Sequence, residues 1–230
     1  MNNFSVIIPS KTFASLEVCI DAIRNANETC KIIVVDDGVK WPSPGITDWL
    51  DEHNTELCIG DTPFVFSRNI NIGIRAAGQD DVILLNDDAI LQTAEGFTLL
   101  QNEAEEHQEY GVIAAATNNV GNSNQKYQGL GLREDPRMVC FICVLIPRRT
   151  INKIGLLNEN FKGYGFEDDN YCLRIRNAGL KIGIYDFCMV DHYTLPSTFR
   201  SNGGNKEKYL ENMEIFKQIH GMDNFGRPIK

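Results

Sequence analysis

The sequence lacks any apolar run approaching the roughly 18 residues of a membrane-spanning helix. Basic residues are in the minority, 22 Lys and Arg against 31 Asp and Glu, for a net charge of −9. A chain this acidic is a poor non-specific binder of nucleic acid or of anionic membranes, although a local basic cleft is compatible with it. The opening Met1-Asn2-Asn3-Phe4-Ser5 has no basic stretch leading into an apolar one. The expectation is a soluble, cytoplasmic protein, with peripheral contact to a membrane left open. The cysteines number seven and are scattered, and Cys140 and Cys143, though spaced as a CxxC, have no second pair at metal spacing. They read as free, mostly buried thiols in a reducing compartment. No repeat and no compositional break marks a linker, so one continuous domain over 1–230 is expected.

What is present is ordinary globular composition, 43% hydrophobic and 23% charged over 230 residues, enough to build a sizeable core. Short Val/Ile/Leu runs at Phe4–Ile8, Lys31–Val35 and Asp81–Leu85, with a weaker one at Glu56–Ile59, read as buried strands. Between them, residues 14–27 carry Leu16, Cys19, Ile20 and Ile23 at helical spacing. A second helix is expected from Ser67, as N-cap, through Ala77, closed by Gly78. Alternating strands and helices of this kind predict a parallel sheet covered on both faces. Ligands in such sheets sit beyond the carboxyl ends of the strands. Ser10-Lys11, Asp36-Asp37 and Asn86-Asp87-Asp88 each follow a strand and would face one crevice. The second half is expected to hold a helix over 94–107, a strand over 111–116, a polar loop Asn118–Gln128 and an apolar strand Met138–Ile146. A short helix near 150–155 and a helix opening at Glu167 follow, then two strands, Lys181–Ile184 and Phe187–Val190, and a tail helix Lys206–His220.

The constellations admit two readings each. Asp87-Asp88 place two carboxylates side by side, and a divalent ion on a nucleotide diphosphate would satisfy both; a solvated turn would serve as well. Asp36-Asp37-Gly38 is either a turn or a carboxylate that accepts the N–H of a pyrimidine. Glu167-Asp168 at a helix start is stabilised by the helix dipole, or supplies a base to a sugar hydroxyl. His192 is either a structural hydrogen-bonder or a ligand to Mn²⁺.

In this order the pieces resemble the inverting family 2 glycosyltransferases of the GT-A fold. The resemblance rests on Val6-Ile7-Ile8-Pro9, Ile33 to Gly38, Asn71 to Ala77, Ile83 to Asp88, Gly165 to Arg174 with Ala178-Gly179, and His192 near Ser197. It implies an α/β fold with a Rossmann-like, mostly parallel central sheet, helices on both faces and a small acceptor-side subregion. A nucleotide-sugar half would span about 1–92, an acceptor and catalytic half about 93–200, and a tail about 201–230. It further implies that Pro9, Ser10 and Lys11 line the base pocket and that Asp37 reads the base, favouring a UDP-sugar. Arg68 and Asn71 would contact the donor. Asn86, Asp87 and Asp88 would form a DxD motif with Asn first, Asp87 on the donor's ribose or sugar and Asp88 on a divalent metal, Mn²⁺ or Mg²⁺, shared with His192. Asp168 would be the general base, with Glu167 orienting the acceptor. The implied reaction is single-displacement transfer of a sugar to an acceptor hydroxyl. A retaining glycosyltransferase, a nucleotidyltransferase and an inactive sugar- or nucleotide-binding module are the competing readings. A nucleotidyltransferase would carry a glycine run after the first strand, and Ile8-Pro9-Ser10-Lys11 has none. The segment Arg200–Lys206 is read as a lid over the donor or a plain linker.

Overall fold

A computed structural model describes residues 3–42, 46–195 and 206–229. The first half runs β1 (Phe4–Ser10), α1 (Phe13–Asn25), β2 (Lys31–Asp36), α2 (Ile46–Glu52), β3 (Thr55–Ile59), α3 (Phe66–Ala76) and β4 (Asp81–Leu85). The second runs β5 (Ile90–Leu91), α4 (Gly96–Glu106), β6 (Tyr110–Thr117), β7 (Leu132–Glu134), β8 (Cys143–Ile146), α5 (Arg148–Ile154), α6 (Glu167–Asn177), β9 (Lys181–Asp191) and α7 (Lys206–His220). The strands form one nine-stranded sheet in the order β3-β2-β1-β4-β8-β6-β9-β5, with β7 paired to β9. β1, β2, β3 and β4 are mutually parallel, and β6 is parallel to β9; β8 joins the two groups by antiparallel pairing to β4 and β6.

The continuous apolar strands are buried on both faces, as their sequences require. Val6, Ile8, Ile32 and Val34 point into one core with Leu16, Ile20 and Phe97. Ile7, Ile33 and Val35 point into the other with Ile70, Ile74 and Tyr171. Helix α3 lies close on β1 because Gly73 has no side chain; a Cβ there would collide with Ile7 Cγ2.

Several sequence expectations are corrected in detail. The strand expected over Met138–Ile146 is confined to Cys143–Ile146. Asp135 holds the Arg137 and Met138 N–H groups at 2.8 and 2.9 Å, and Gln125 takes that of Cys140 at 2.9 Å, so this stretch is tied into a loop. The two strands expected after Lys181 are one, β9, with a register shift against β6. Asp186, between the two expected strands, stays inside β9, where Arg133 and the Leu130 N–H satisfy it. Ser67 does not cap α3: the helix starts at Phe66, and Ser67 Oγ is buried without a hydrogen-bond partner. Helix α2 and the short strands β5 and β7 have too few periodic apolar residues to be read from sequence. Ser197 and nearly all of Arg200–Lys206, with its lid or linker reading, lie outside the described residues.

Candidate active site

The carboxyl ends of β1, β2, β4, β6 and β9 and the loop entering β8 gather at one edge of the sheet. After β1, Ser10 Oγ donates to Asp87 Oδ2 at 2.7 Å across to the β4 turn. Asp87 is buried; that burial, reinforced by neighbouring Asp88 and opposed by Ser10, pushes its carboxyl up to about 6. After β2 the two carboxylates divide their work. Asp36 accepts the N–H groups of Gly38 and Val39 and the Trp41 indole N–H, at 2.8, 2.6 and 2.7 Å, and so builds the turn. Asp37 is left facing a small hollow lined by Pro9, Ser10, Lys11, Phe64, Asp87 and Tyr164. Burial raises its carboxyl, with Lys11 acting in opposition.

The ends of the parallel pair β6 and β9 are stitched together. Asn118 Oδ1 accepts the His192 N–H at 2.9 Å, and Asn119 Nδ2 donates to the His192 carbonyl at 3.2 Å. This fixes the imidazole: Nδ1 lies 2.8 Å from the Asn119 carbonyl and Nε2 lies 3.2 Å from Asp88 Oδ1. A carbonyl only accepts, so Nδ1 carries the hydrogen. A neutral ring would then turn its Nε2 lone pair on a carboxylate oxygen, which is repulsive unless a proton or cation lies between them. An imidazole oriented through Nδ1 by a backbone carbonyl is the arrangement in which histidine ligates metals. Asp88 and His192 therefore fit a cation. Among the described residues no set of three His, Cys, Asp or Glu side chains gathers to hold one.

The third part opens α6. Gly163, Gly165 and Phe166 all lie in the left-handed region, at φ of 61°, 106° and 72°. The chain turns there to present Glu167, Asp168 and Asp169 in the first helical turn. Burial, then Asp169, raises the Asp168 carboxyl to about 7. Burial, then Asp168, also pushes the Glu167 carboxyl well up, and its Oε2 has no hydrogen-bond partner. Arg137 Nη1 donates to Asp169 Oδ1 at 3.1 Å.

Asn86, Glu167, Asp168 and His192 line one cleft of about 1040 Å³, which Asp88 meets only through its contact with His192. Lys11, Phe64 and Tyr164 line both this cleft and the smaller hollow of Asp37 and Asp87, so the two communicate. The volume is at the upper end of the range for small-ligand sites.

Two expected donor contacts are not brought there. Asn71 is buried and spent on the 157–159 turn: its Nδ2 donates to the Leu157 carbonyl and Glu159 Oε1 at 2.9 and 2.8 Å, and its Oδ1 accepts the Leu157 N–H at 3.0 Å. Arg68 pairs with Asp61 at 2.9 Å and lines neither hollow. Conversely, Phe64, Asn119 and Arg137 escaped sequence reasoning. Phe64 and Arg137 carried no signal; Asn119 lies in the polar loop Asn118–Gln128, a stretch whose sequence suggests acceptor contact without singling out Asn119 itself. Tyr164 was visible only as part of the glycine-flanked turn. No helix of the described residues is long and apolar enough to cross a membrane.

A family model described as Glycosyl transferase family 2 matches residues 5–172. No curated protein sequence matches the chain. Among solved structures, GalNAc-T7 with UDP, GalNAc and Mn²⁺ superposes with a TM-score of 0.73 at 12% identity, over 94% of this chain and 48% of that one. The mannosyltransferase PcManGT from Pyrobaculum calidifontis, in complex with GDP-Man and Mn²⁺, gives 0.72 at 14% identity, over 98% of this chain and 67% of that one. TarS 1-349 of S. aureus gives 0.60 at 14%, over 95% and 74%. The chain spans about half the length of the GalNAc-T7 chain it matches. At these identities the likeness is one of fold, and the fold is GT-A.

Proposed function

Because the chain belongs to glycosyl transferase family 2, we propose that it moves a sugar from a nucleotide-diphosphate donor to an acceptor hydroxyl, by single displacement with inversion. One observation carries the reading: Asp37 and Asp87 border the smaller hollow, Asp168 and His192 border the larger one that communicates with it, and Asp88 meets His192 at 3.2 Å, all from separate stretches of sequence at the carboxyl edge of the sheet.

In this reading the base of the donor enters the smaller hollow, where Asp37 accepts a ring N–H, which favours uracil. Asp87, held by Ser10, faces the ribose or the sugar. Asp88 and His192 would hold Mn²⁺ or Mg²⁺, with the donor's diphosphate supplying further ligands; the bound cation would neutralise charge on that diphosphate. Lys11 sits between the hollows and adds a positive charge from the chain itself. Asp168, as carboxylate, removes the proton of the acceptor hydroxyl while that oxygen attacks the anomeric carbon. The bond from that carbon to the diphosphate oxygen breaks, and its electron pair leaves with the diphosphate. Glu167 orients the acceptor. The region to about residue 92 serves the donor, and the region from there to about 200 the acceptor.

Two structures of the same fold bind such ligands, GalNAc-T7 with UDP, GalNAc and Mn²⁺ and PcManGT with GDP-Man and Mn²⁺, which supports the reading. The experiment is a thermal-shift and transfer screen of UDP- and GDP-sugars with Mn²⁺. The expected result is stabilisation by UDP-sugars in preference to GDP-sugars, and release of UDP that a chelator stops. A panel in which no nucleotide raises the melting temperature overturns the reading.

A further inference from the structure

The loop before Asp168 holds a conformation that its own sequence does not favour. Phe166 sits at φ 72°, a left-handed conformation that crowds the Cβ of an L-residue against its own backbone. Such a residue persists only where its surroundings over-determine it, and here they come from a helix some fifty residues further on. The fully buried side chain of Asn212, in α7, grips the loop from both ends of its amide. Its Oδ1 accepts the Lys162 N–H at 2.7 Å, and its Nδ2 lies 3.0, 3.1 and 3.0 Å from the carbonyls of Lys162, Tyr164 and Gly165. Only a primary amide of this length offers an acceptor and donors together; aspartate would put a charge against three carbonyls.

The same face of α7 continues the grip. Tyr209 and Phe216 pack on the Phe166 ring, with centroids 5.0 and 5.8 Å away, and His220 Nε2 lies 2.8 Å from Asn170 Nδ2. Beyond the helix, Asn224 Nδ2 reaches Asp169 Oδ1 at 3.4 Å, and Phe225 lies under the Arg137 guanidinium. All of these contacts converge on residues 162–170 and their partner Arg137. All come from chain beyond the family match, which ends at residue 172.

We propose that Asn212 is a positioning residue for Asp168, and that α7 with the turn following it is a working part of the catalytic site. The inference rests on the reading of Asp168 as the base. Its mechanism is local: the clamp fixes the peptides at 162–165, Phe166 is locked in the left-handed region, and the carboxyl is thereby aimed into the cleft.

The test needs no substrate. Asp168 is faced by Glu167 and Asp169 on its own helix, by Arg137 from the 135–142 loop, and by the Cys140 and Cys172 thiols. Following the Asp168 side-chain carbon by NMR titration in the full chain should show a midpoint near 7. In Asn212→Ala the loop relaxes and the midpoint falls by one unit or more, while UDP with Mn²⁺ binds within about twofold of wild type by calorimetry. Tyr209→Ala removes a half-exposed ring that the core does not need, so it folds even if Asn212→Ala does not. It should move the midpoint the same way. An unchanged Asp168 midpoint in a folded Asn212→Ala, or in Tyr209→Ala where Asn212→Ala does not fold, overturns the proposal. Failure of the underlying reading looks different: Asp168→Asn would retain sugar transfer, whatever the titrations show.

Discussion

At the scale of single residues, the environment of Asp168 ties activity and stability to opposite ends of the pH range. A general base works as the carboxylate, so transfer should fall about tenfold per pH unit below a midpoint near 7, the value to which burial and Asp169 raise this group. Its folded-state affinity for a proton exceeds that of an ordinary aspartate. Its contribution to stability is therefore complete below about pH 4 and is lost as pH rises through about 7. Asp168→Asn removes that loss. The variant should show transfer reduced by 10²–10⁴, the usual contribution of general base catalysis, yet melt about 2–4 °C higher than wild type at pH 8, the shift expected from about 1 kcal/mol at this chain length. Calorimetry from below pH 4 to pH 8 checks the sign, because the difference should vanish at the low end and grow as pH rises. The pairing of Asp36 and Asp37 illustrates why such assignments need coordinates. Adjacent in sequence, one is consumed by three hydrogen bonds within its own turn and the other is turned to the hollow.

At the scale of elements, α3 separates what a motif suggests from what its side chains do. Asn71 matches a family position and was expected on the donor. In place it is fully engaged in binding α3 to the 157–159 turn. Asn71→Ala leaves the Leu157 N–H and carbonyl buried without partners, a cost of about 1–3 kcal/mol for such groups. It should lower the melting temperature while leaving UDP binding within experimental error. Two helical turns of the same element rest directly on β1 through Gly73, and Gly73→Ala should cost more than Asn71→Ala because Ile7 Cγ2 has no room to retreat inside the core. Urea unfolding of the two variants, compared at a common m-value, checks the order.

The β1, β2 and β4 strands were legible as short continuous apolar runs, α1 by the helical spacing of Leu16, Cys19, Ile20 and Ile23, and α6 by Tyr171 and Ile175 with Gly179 at its end. The region 138–142 was not, since its apolar side chains mimic a strand while Asp135 and Gln125 tie its backbone into a loop. The same limit applies to the site. Asp37, Asp87, Asp88 and His192 could be picked out as polar residues following apolar runs, and Asp168 as a carboxylate at a helix start behind a glycine-rich turn. Asn119 and Arg137 act through contacts between segments distant in sequence, which no local pattern encodes.

At the scale of the whole molecule, the Asp88–His192 pair joins the two halves of the sheet, one group leaving β4 and the other leaving β9, on either side of β8 and β6. A cation held there would be shared between the β1–β4 region proposed for the nucleotide and the region that carries α6 and the proposed base Asp168. Nucleotide and metal should therefore stabilise the fold together rather than separately. A ligand present at 100 times its dissociation constant adds about 2.7 kcal/mol, or about 5–10 °C for a chain of this size. UDP with Mn²⁺ should reach that order, and UDP with a chelator should give a small fraction of it. His192→Ala removes one ligand and leaves Asp37 and the base hollow untouched. It should abolish the Mn²⁺-dependent part of the shift while preserving the part due to UDP alone. Equal shifts with Mn²⁺ and with chelator in the wild-type chain would place the cation elsewhere and leave the imidazole as a purely structural tie between Asn119 and Asp88.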